Sequence, residues 1–346
     1  MRRLSYRAWL STLGARNYGL PVVIFYVTEG CNLQCTMCSY REALAGELSL
    51  QEIKKLAGDL AGCGLQHIVF SGGEPLLRKD FPEICSIFAS RGIKETMLTN
   101  GLLLNKRFED IAGFFSEIIV SMDGATSATH DSIRGVRSFD TICEGIVRVR
   151  KSAPGQSIAI RTVIQKKNFR EIGAMIGLAK SLGAKRISFL AADALSEAFG
   201  RERAGKPDGA PSFMLSKEET AEFREVVDSI CSTHAADFES KFISESPAKL
   251  YHLAEYFEAF NGMREYPRVL CNAPNVSAVI DSTGNILPCF FLPAFGNVQS
   301  AEIDTLLNNE LARTTRDGVS AGAVERCKTC VCSLYVSPMR ALTTGF

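Results

Sequence analysis

Three cysteines crowd into one short run, Cys31-Asn-Leu-Gln-Cys35-Thr-Met-Cys38. Three thiolates on one loop can hold three irons of a [4Fe–4S] cube, which ordinarily takes four cysteines. The fourth iron is then open to a small-molecule ligand. A structural zinc site wants four ligands, usually from paired C-x2-C units, and this loop supplies only three. Five more cysteines, Cys271, Cys289, Cys327, Cys330 and Cys332, lie in the last quarter of the chain. Four of them suffice for a second [4Fe–4S] cluster or, on the same thiols, a structural zinc site. The remaining four, Cys63, Cys85, Cys143 and Cys231, sit in helical or apolar segments and read as small core residues. No secretory signal is evident, so metal ligation is expected rather than disulfides, and the expected location is cytoplasmic.

The elements that must position these residues alternate. Short, apolar, often β-branched runs at Val22–Val27, His67–Phe70, Glu95–Thr99, Glu117–Met122, Ser157–Ile164 and Arg186–Ala191 read as buried parallel strands. Helical patterns separate them. One begins at Ser49, with Glu52 completing a capping box; another begins at Ser138 with Phe139, Ile142, Ile146 and Val149 on one face; a third carries Ile172, Met175, Ile176 and Ala179. Strands joined by helical crossovers imply a parallel sheet, either a partial barrel or a doubly wound sheet. Residues 200–211 read as a linker or lid, followed by helices near Lys217–Cys231 and Pro247–Phe260. Val276–Ile280, a turn at Asp281–Asn285 and Ile286-Leu287 read as a β-hairpin, and Ala301–Arg313 as one short helix.

Composition narrows the class of protein. The chain has 346 residues, 46% hydrophobic, with a net charge of +1, so nothing global points to nucleic acid. No apolar run reaches the roughly 18 to 20 residues of a membrane span. Met1–Arg16 reads as a basic amphipathic helix.

The first cysteine run resembles the cluster loop of the radical S-adenosylmethionine (radical SAM) superfamily. Other motifs follow in the family's order, each at a strand end. Ser71-Gly72-Gly73-Glu74-Pro75 is similar to its GGE motif, which implies that Gly72 and Gly73 let backbone approach the ligand and Glu74 accepts from the methionine ammonium. Ser121-Met122-Asp123-Gly124 resembles the ribose-contacting segment, with Ser121 and Asp123 as polar contacts. Asn100, in Thr99-Asn100-Gly101, is a further candidate contact. The run His130–Gly135, with Arg134, is also family-like. Met37 stands where an aromatic residue often lies near the adenine, and a thioether can pack on that ring. On the fifth strand Val163 is the one residue carried over as an adenine contact. Cys271, Gly284 and Cys289, spaced C-x12-G-x4-C, resemble the entry of the SPASM and twitch auxiliary-cluster domains. The shorter twitch pattern implies Cys271, Cys289, Cys327 and Cys330 as ligands, with Cys332 spare.

The resemblance implies a partial (β/α)6 TIM-like barrel at 21–200, after an N-terminal helical extension at 1–20. A helical linker or lid at 201–264 and an auxiliary-cluster hairpin/helix domain at 265–346 complete the expected organisation. It implies two [4Fe–4S] clusters and S-adenosylmethionine as cofactors, reductive cleavage to a 5′-deoxyadenosyl radical, and hydrogen abstraction. A net two-electron oxidation assisted by the second cluster is the expected outcome. Asp193, after the sixth strand among apolar neighbours, is the candidate base. A small-molecule substrate is expected ahead of a ribosomally made peptide, with flavodoxin or ferredoxin as external electron donor. The different-class rival is an iron–sulfur electron carrier, which an open three-cysteine site disfavours.

Overall fold

The computed structural model describes residues 2–14, 16–201 and 211–339. Six strands form where the apolar runs lie: β1 (Val22–Thr28), β2 (His67–Gly72), β3 (Lys94–Thr99), β4 (Phe115–Ser121), β5 (Ile158–Ile164) and β6 (Arg186–Ala191). Each pairs in parallel with its sequence neighbour, giving the spatial order β6-β5-β4-β3-β2-β1. A doubly wound sheet reverses its strand order at a switch point. This order never reverses, so the partial barrel is the fold.

The sheet continues past β1. Strand β7 (Ser277–Ile280) pairs in parallel with it, from Val22 opposite Ser277 to Phe25 opposite Ile280. Strands β8 (Asn285–Leu287) and β9 (Gly296–Asn297) follow in antiparallel order. The C-terminal hairpin is therefore built onto the barrel sheet. Its turn is held by the Asp281 side chain, which accepts from the amides of Thr283 and Asn285, both at 2.9 Å. Gly284 there has φ +89, the left-handed region open to glycine.

The helices follow their end signals. Ser49 and Glu52 form the expected capping box of Leu50–Gly62, as do Ser216 and Glu219 for Lys217–Thr233. Ser246 caps Pro247–Phe260, with proline in the first turn. Ser138 differs: it precedes Phe139–Ser152, but its hydroxyl makes no cap bond. The single helix expected at Ala301–Arg313 is two, Ile303–Asn308 and Glu310–Ala321. Asn309 breaks the first and caps the second by accepting from the Ala312 amide. Most of the expected lid falls at 202–210, outside the described residues. Among the described residues no helix is long and apolar enough to cross a membrane.

The core lies between sheet and helices. Phe70 of β2 meets Phe81, Phe88 and Phe115 edge-on, with ring centroids 5.4, 5.5 and 6.3 Å away. Such pairs add about 0.5–1.5 kcal/mol each beyond area burial. Glu95 is also buried there, near the Cys85 thiol, and desolvation pushes its carboxyl up to about 8. The folded chain then binds a proton that the unfolded chain releases near its ordinary value of about 4.3. Stability from this group is full below that value and falls as pH rises through about 8. Glu95→Gln is expected to flatten this fall. Thermal midpoints of both proteins, equally loaded with iron, check it between about pH 5 and pH 8; parallel curves would show that Glu95 does not carry the dependence.

Candidate radical and auxiliary cluster sites

The first cysteine loop is clamped from both sides. On one side, the Gly73 amide donates to Thr28 O and the Glu74 amide to Gly30 O, both at 2.8 Å. A Cβ on Gly72 would stand 2.2 Å from Thr28 O, and one on Gly73 2.1 Å from Gly30 O. These glycines thus admit the cysteine loop's own backbone, a closer and more definite reason than the ligand approach expected of them. On the other side, the Gln34 amide donates to Arg134 O and the Thr36 amide to Ile133 O, at 2.9 and 3.0 Å.

Glu74 is fully buried. It accepts from the Leu76 amide, the Thr99 hydroxyl and the Asn100 amide at 3.0, 2.8 and 2.7 Å. It therefore ties the end of β2 to the end of β3, and burial raises its carboxyl to about 7 despite these bonds. Asn100 stands at the cluster loop, where its Nδ2 donates to Asn32 Oδ1 at 2.7 Å and lies 3.9 Å from Cys31 Sγ. Asp123, expected at the ribose, is fully buried as well. Its Oδ1 accepts from the Val163 amide at 2.8 Å, and its Oδ2 pairs with Arg134 Nη2 at 2.7 Å. Ser121, Met37 and Val163 are half-buried at the same strand ends.

Arg134 is the site residue that the sequence reading left outside its set. Its Nη1 reaches Cys35 Sγ at 3.8 Å, so a buried cation faces the first thiols. The run His130–Gly135 was its signal, and the pairing with Asp123 fixes its direction.

Asp193 requires a correction. The base role rested on apolar surroundings, but two arginines converge on it. Arg326 Nη2 donates to Oδ1 at 2.7 Å, and Arg201 pairs with Oδ2. Arg201 Nη1 also reaches Met37 O at 3.4 Å, and Arg326 adjoins Cys327. Asp193 is thus a clasp between the first cysteine loop and the C-terminal cysteines. An aromatic group lies beside it: Phe199 meets Phe290 and Phe291 at 6.1 and 6.3 Å, and Tyr26 stacks on Phe290 at 6.3 Å.

All five C-terminal cysteines, Cys332 included, line one cavity with Phe290 and Phe291. Among the described residues no three potential ligands converge as a single-ion site. A cubane takes one thiolate at each iron and does not require that convergence. Burial raises the thiols of Cys31, Cys327 and Cys332, and pushes those of Cys38 and Cys289 up to about 11 and Cys330 up to about 12. Within each group, neighbouring thiols add to the rise. Metal coordination reverses that cost by deprotonating the thiols and neutralising them. Both sets therefore have the chemistry of cluster ligands.

A singly wound barrel with a three-cysteine loop at its C-terminal rim, and a cysteine-lined hairpin region beside it, defines a radical enzyme with an auxiliary centre. The Radical SAM superfamily model matches residues 25–179, and the SPASM iron-sulfur cluster-binding domain model matches 271–331. The chain belongs to the radical SAM superfamily and carries a SPASM-type C-terminal region. It is similar to Fe-coproporphyrin III synthase of Methanosarcina barkeri (strain Fusaro / DSM 804), 35% identical over 178 residues, 49% of this chain and 43% of that one. It thus spans about half the length of the first curated relatives it matches. It is also similar to the antilisterial bacteriocin subtilosin biosynthesis protein AlbA of Bacillus subtilis (strain 168), 26% identical over 93% of this chain and 67% of that one. The crystal structure of Streptococcus suis SuiB bound to precursor peptide SuiA shares the fold, with TM-score 0.60 and 17% identity over 92% of this chain and 72% of that one.

Asp193→Asn leaves the half-buried Arg201 and Arg326 short of a counter-charge and is expected to cost about 1–3 kcal/mol. Denaturant unfolding of the iron-loaded variant checks this. Unchanged stability with product formation abolished would restore the base role.

Proposed function

We propose that this chain oxidatively modifies a peptide at a barrel chamber lying between its two cysteine sites. The observation that supports a peptide is the similarity to AlbA, a bacteriocin biosynthesis protein, which runs through both cysteine regions and 93% of this chain. The expected preference for a small molecule loses its footing there. It remains as a second reading because the similarity to Fe-coproporphyrin III synthase, though confined to 49% of the chain, has the higher identity.

When bound, the first cluster and S-adenosylmethionine supply reductive C–S cleavage and a hydrogen-abstracting radical. The residues of this chain arrange that chemistry. Cys31, Cys35 and Cys38 hold the first cluster, with Asn100 and Arg134 directed at two of these sulfurs. Donors of this kind outside the ligand set tune iron–sulfur potentials. Asp123 holds Val163 and Arg134 together, so the adenine and ribose ends of the nucleoside shelf move as one. Gly72 and Gly73 fix the loop against β1, and Ser121 and Met37 complete the shelf. Cys271, Cys289, Cys327 and Cys330 would hold the auxiliary cluster, which would supply a one-electron acceptor for the substrate radical while the accompanying proton passes to solvent. A low-potential flavodoxin or ferredoxin is the proposed donor.

Anaerobic reconstitution is expected to give roughly eight irons and eight sulfides per chain. About four irons with one zinc would make the C-terminal site structural. Replacing Cys31, Cys35 and Cys38 together with Ala is expected to abolish 5′-deoxyadenosine formation while the C-terminal iron remains. Persistent cleavage would overturn the radical assignment. Peptide and tetrapyrrole are separated by assaying short peptides encoded beside the gene against iron-tetrapyrrole precursors, with Fe-coproporphyrin III followed as the product. Loss of a hydrogen pair from a peptide, seen by mass spectrometry, supports the first reading.

A further inference from the structure

One cation of the barrel interior has no task in the foregoing scheme. Strand register sets Ser121 of β4 opposite Arg161 of β5, and Arg161 opposite Ser188 of β6. Side chains alternate along a strand. Ile160 and Thr162 are buried on one face of β5, while Arg161 and Val163 are half-buried on the other, the face of the nucleoside shelf. Arg161 Nε donates to Ser188 Oγ at 3.2 Å. Among the described residues its two terminal nitrogens make no hydrogen bond and meet no carboxylate at ion-pair distance.

The neighbouring carboxylates are committed elsewhere. Glu117 pairs with Arg186, and Glu245 accepts from the Phe189 amide at 2.9 Å. The thiol of Cys332, on the wall of the C-terminal cavity, is near enough to feel the Arg161 charge. Desolvation lowers the affinity of Arg161 for its proton, as expected of a cation drawn out of water without a full counter-charge. Arg134, not Arg161, reaches a thiol of the first cysteine loop. Arg161 therefore stands on the Val163 face of β5, between Ser121 and Ser188, with its terminal nitrogens unpaired among the described residues.

We propose that Arg161 reads a carboxylate of the substrate, pairing with it through its two terminal nitrogens. The planar fork of arginine matches a carboxylate in two parallel bonds. The inference rests on the reading of the barrel interior as the reaction chamber. It specifies the substrate class further: the modified residue lies close to an acidic side chain or a free C-terminus. A non-peptide acid would satisfy the same fork.

The test uses the reconstituted enzyme with S-adenosylmethionine bound. Phenylglyoxal labels accessible arginines, and digestion with mass spectrometry locates the adducts. Arg161 is expected to be labelled and its adduct lost when a carboxylate probe is added. N-acetylglutamate α-amide represents an acidic side chain, N-acetylalanine a free C-terminus, and glutarate a non-peptide acid. Neutral N-acetylglutamine amide is expected to protect nothing. Protection by glutarate alone would keep the carboxylate assignment while removing the peptide reading. Three outcomes would overturn the assignment: no labelling of Arg161, equal protection by the neutral amide, or protection by S-adenosylmethionine without any probe. Arg161→Lys and Arg161→Gln are expected to keep the full iron content and the affinity for S-adenosylmethionine. Loss of either would make Arg161 part of the cofactor scaffold and refute its role toward substrate.

Discussion

The contact on which the rest depends is between two stretches of bare backbone at the ends of β1 and β2. Thr28 O and Gly30 O each receive an amide, from Gly73 and Glu74, at a separation that leaves no room for a Cβ. This brings the start of the cysteine loop against the turn that carries Glu74. Glu74 then reaches across to Thr99 and Asn100, so three successive strand ends are bound into one rim. Asn100 meets Asn32 and Cys31 only because that rim is closed. A methyl group at either glycine would part the loops before it touched any ligand.

Charge provides the second level of order. Arg134 is fixed by Asp123 and faces Cys35; Arg201 and Arg326 are fixed by Asp193 and stand beside the two cysteine regions. Buried ions in such numbers are costly unless each is paired. The pairs lie where thiolates are needed, and a thiolate-bound cluster carries negative charge that buried guanidinium groups can balance. Asp123 and Asp193 thus each fix the direction of arginine side chains.

Much of this was legible in the chain. The six barrel strands are short apolar runs between helical patterns, and local composition decides them. The C-x3-C-x2-C spacing named the first site because ligand geometry on a single loop is a local property. What remained hidden was nonlocal. Nothing in Ser277–Ile280 announces β1 as its partner, since any buried apolar strand satisfies the same pattern. Asp193 looked unpaired because one of its arginines lies 133 residues away. Gly72 and Gly73 stood out as glycines, but whether ligand or protein came close to them was a matter of three-dimensional packing. Arg161 sat inside a strand and carried no motif.

The junction between β1 and β7 bears on how such enzymes diversify. The C-terminal cysteine region is mounted on a strand whose four paired positions lie in register with the first strand of the barrel. A graft of this region onto another barrel would have to reproduce that ladder as well as the cysteines. The auxiliary region consequently behaves less like an interchangeable cassette than like an extra stave of the barrel. Exchange of the whole tail would therefore have to preserve the match between β7 and β1 on which it is mounted.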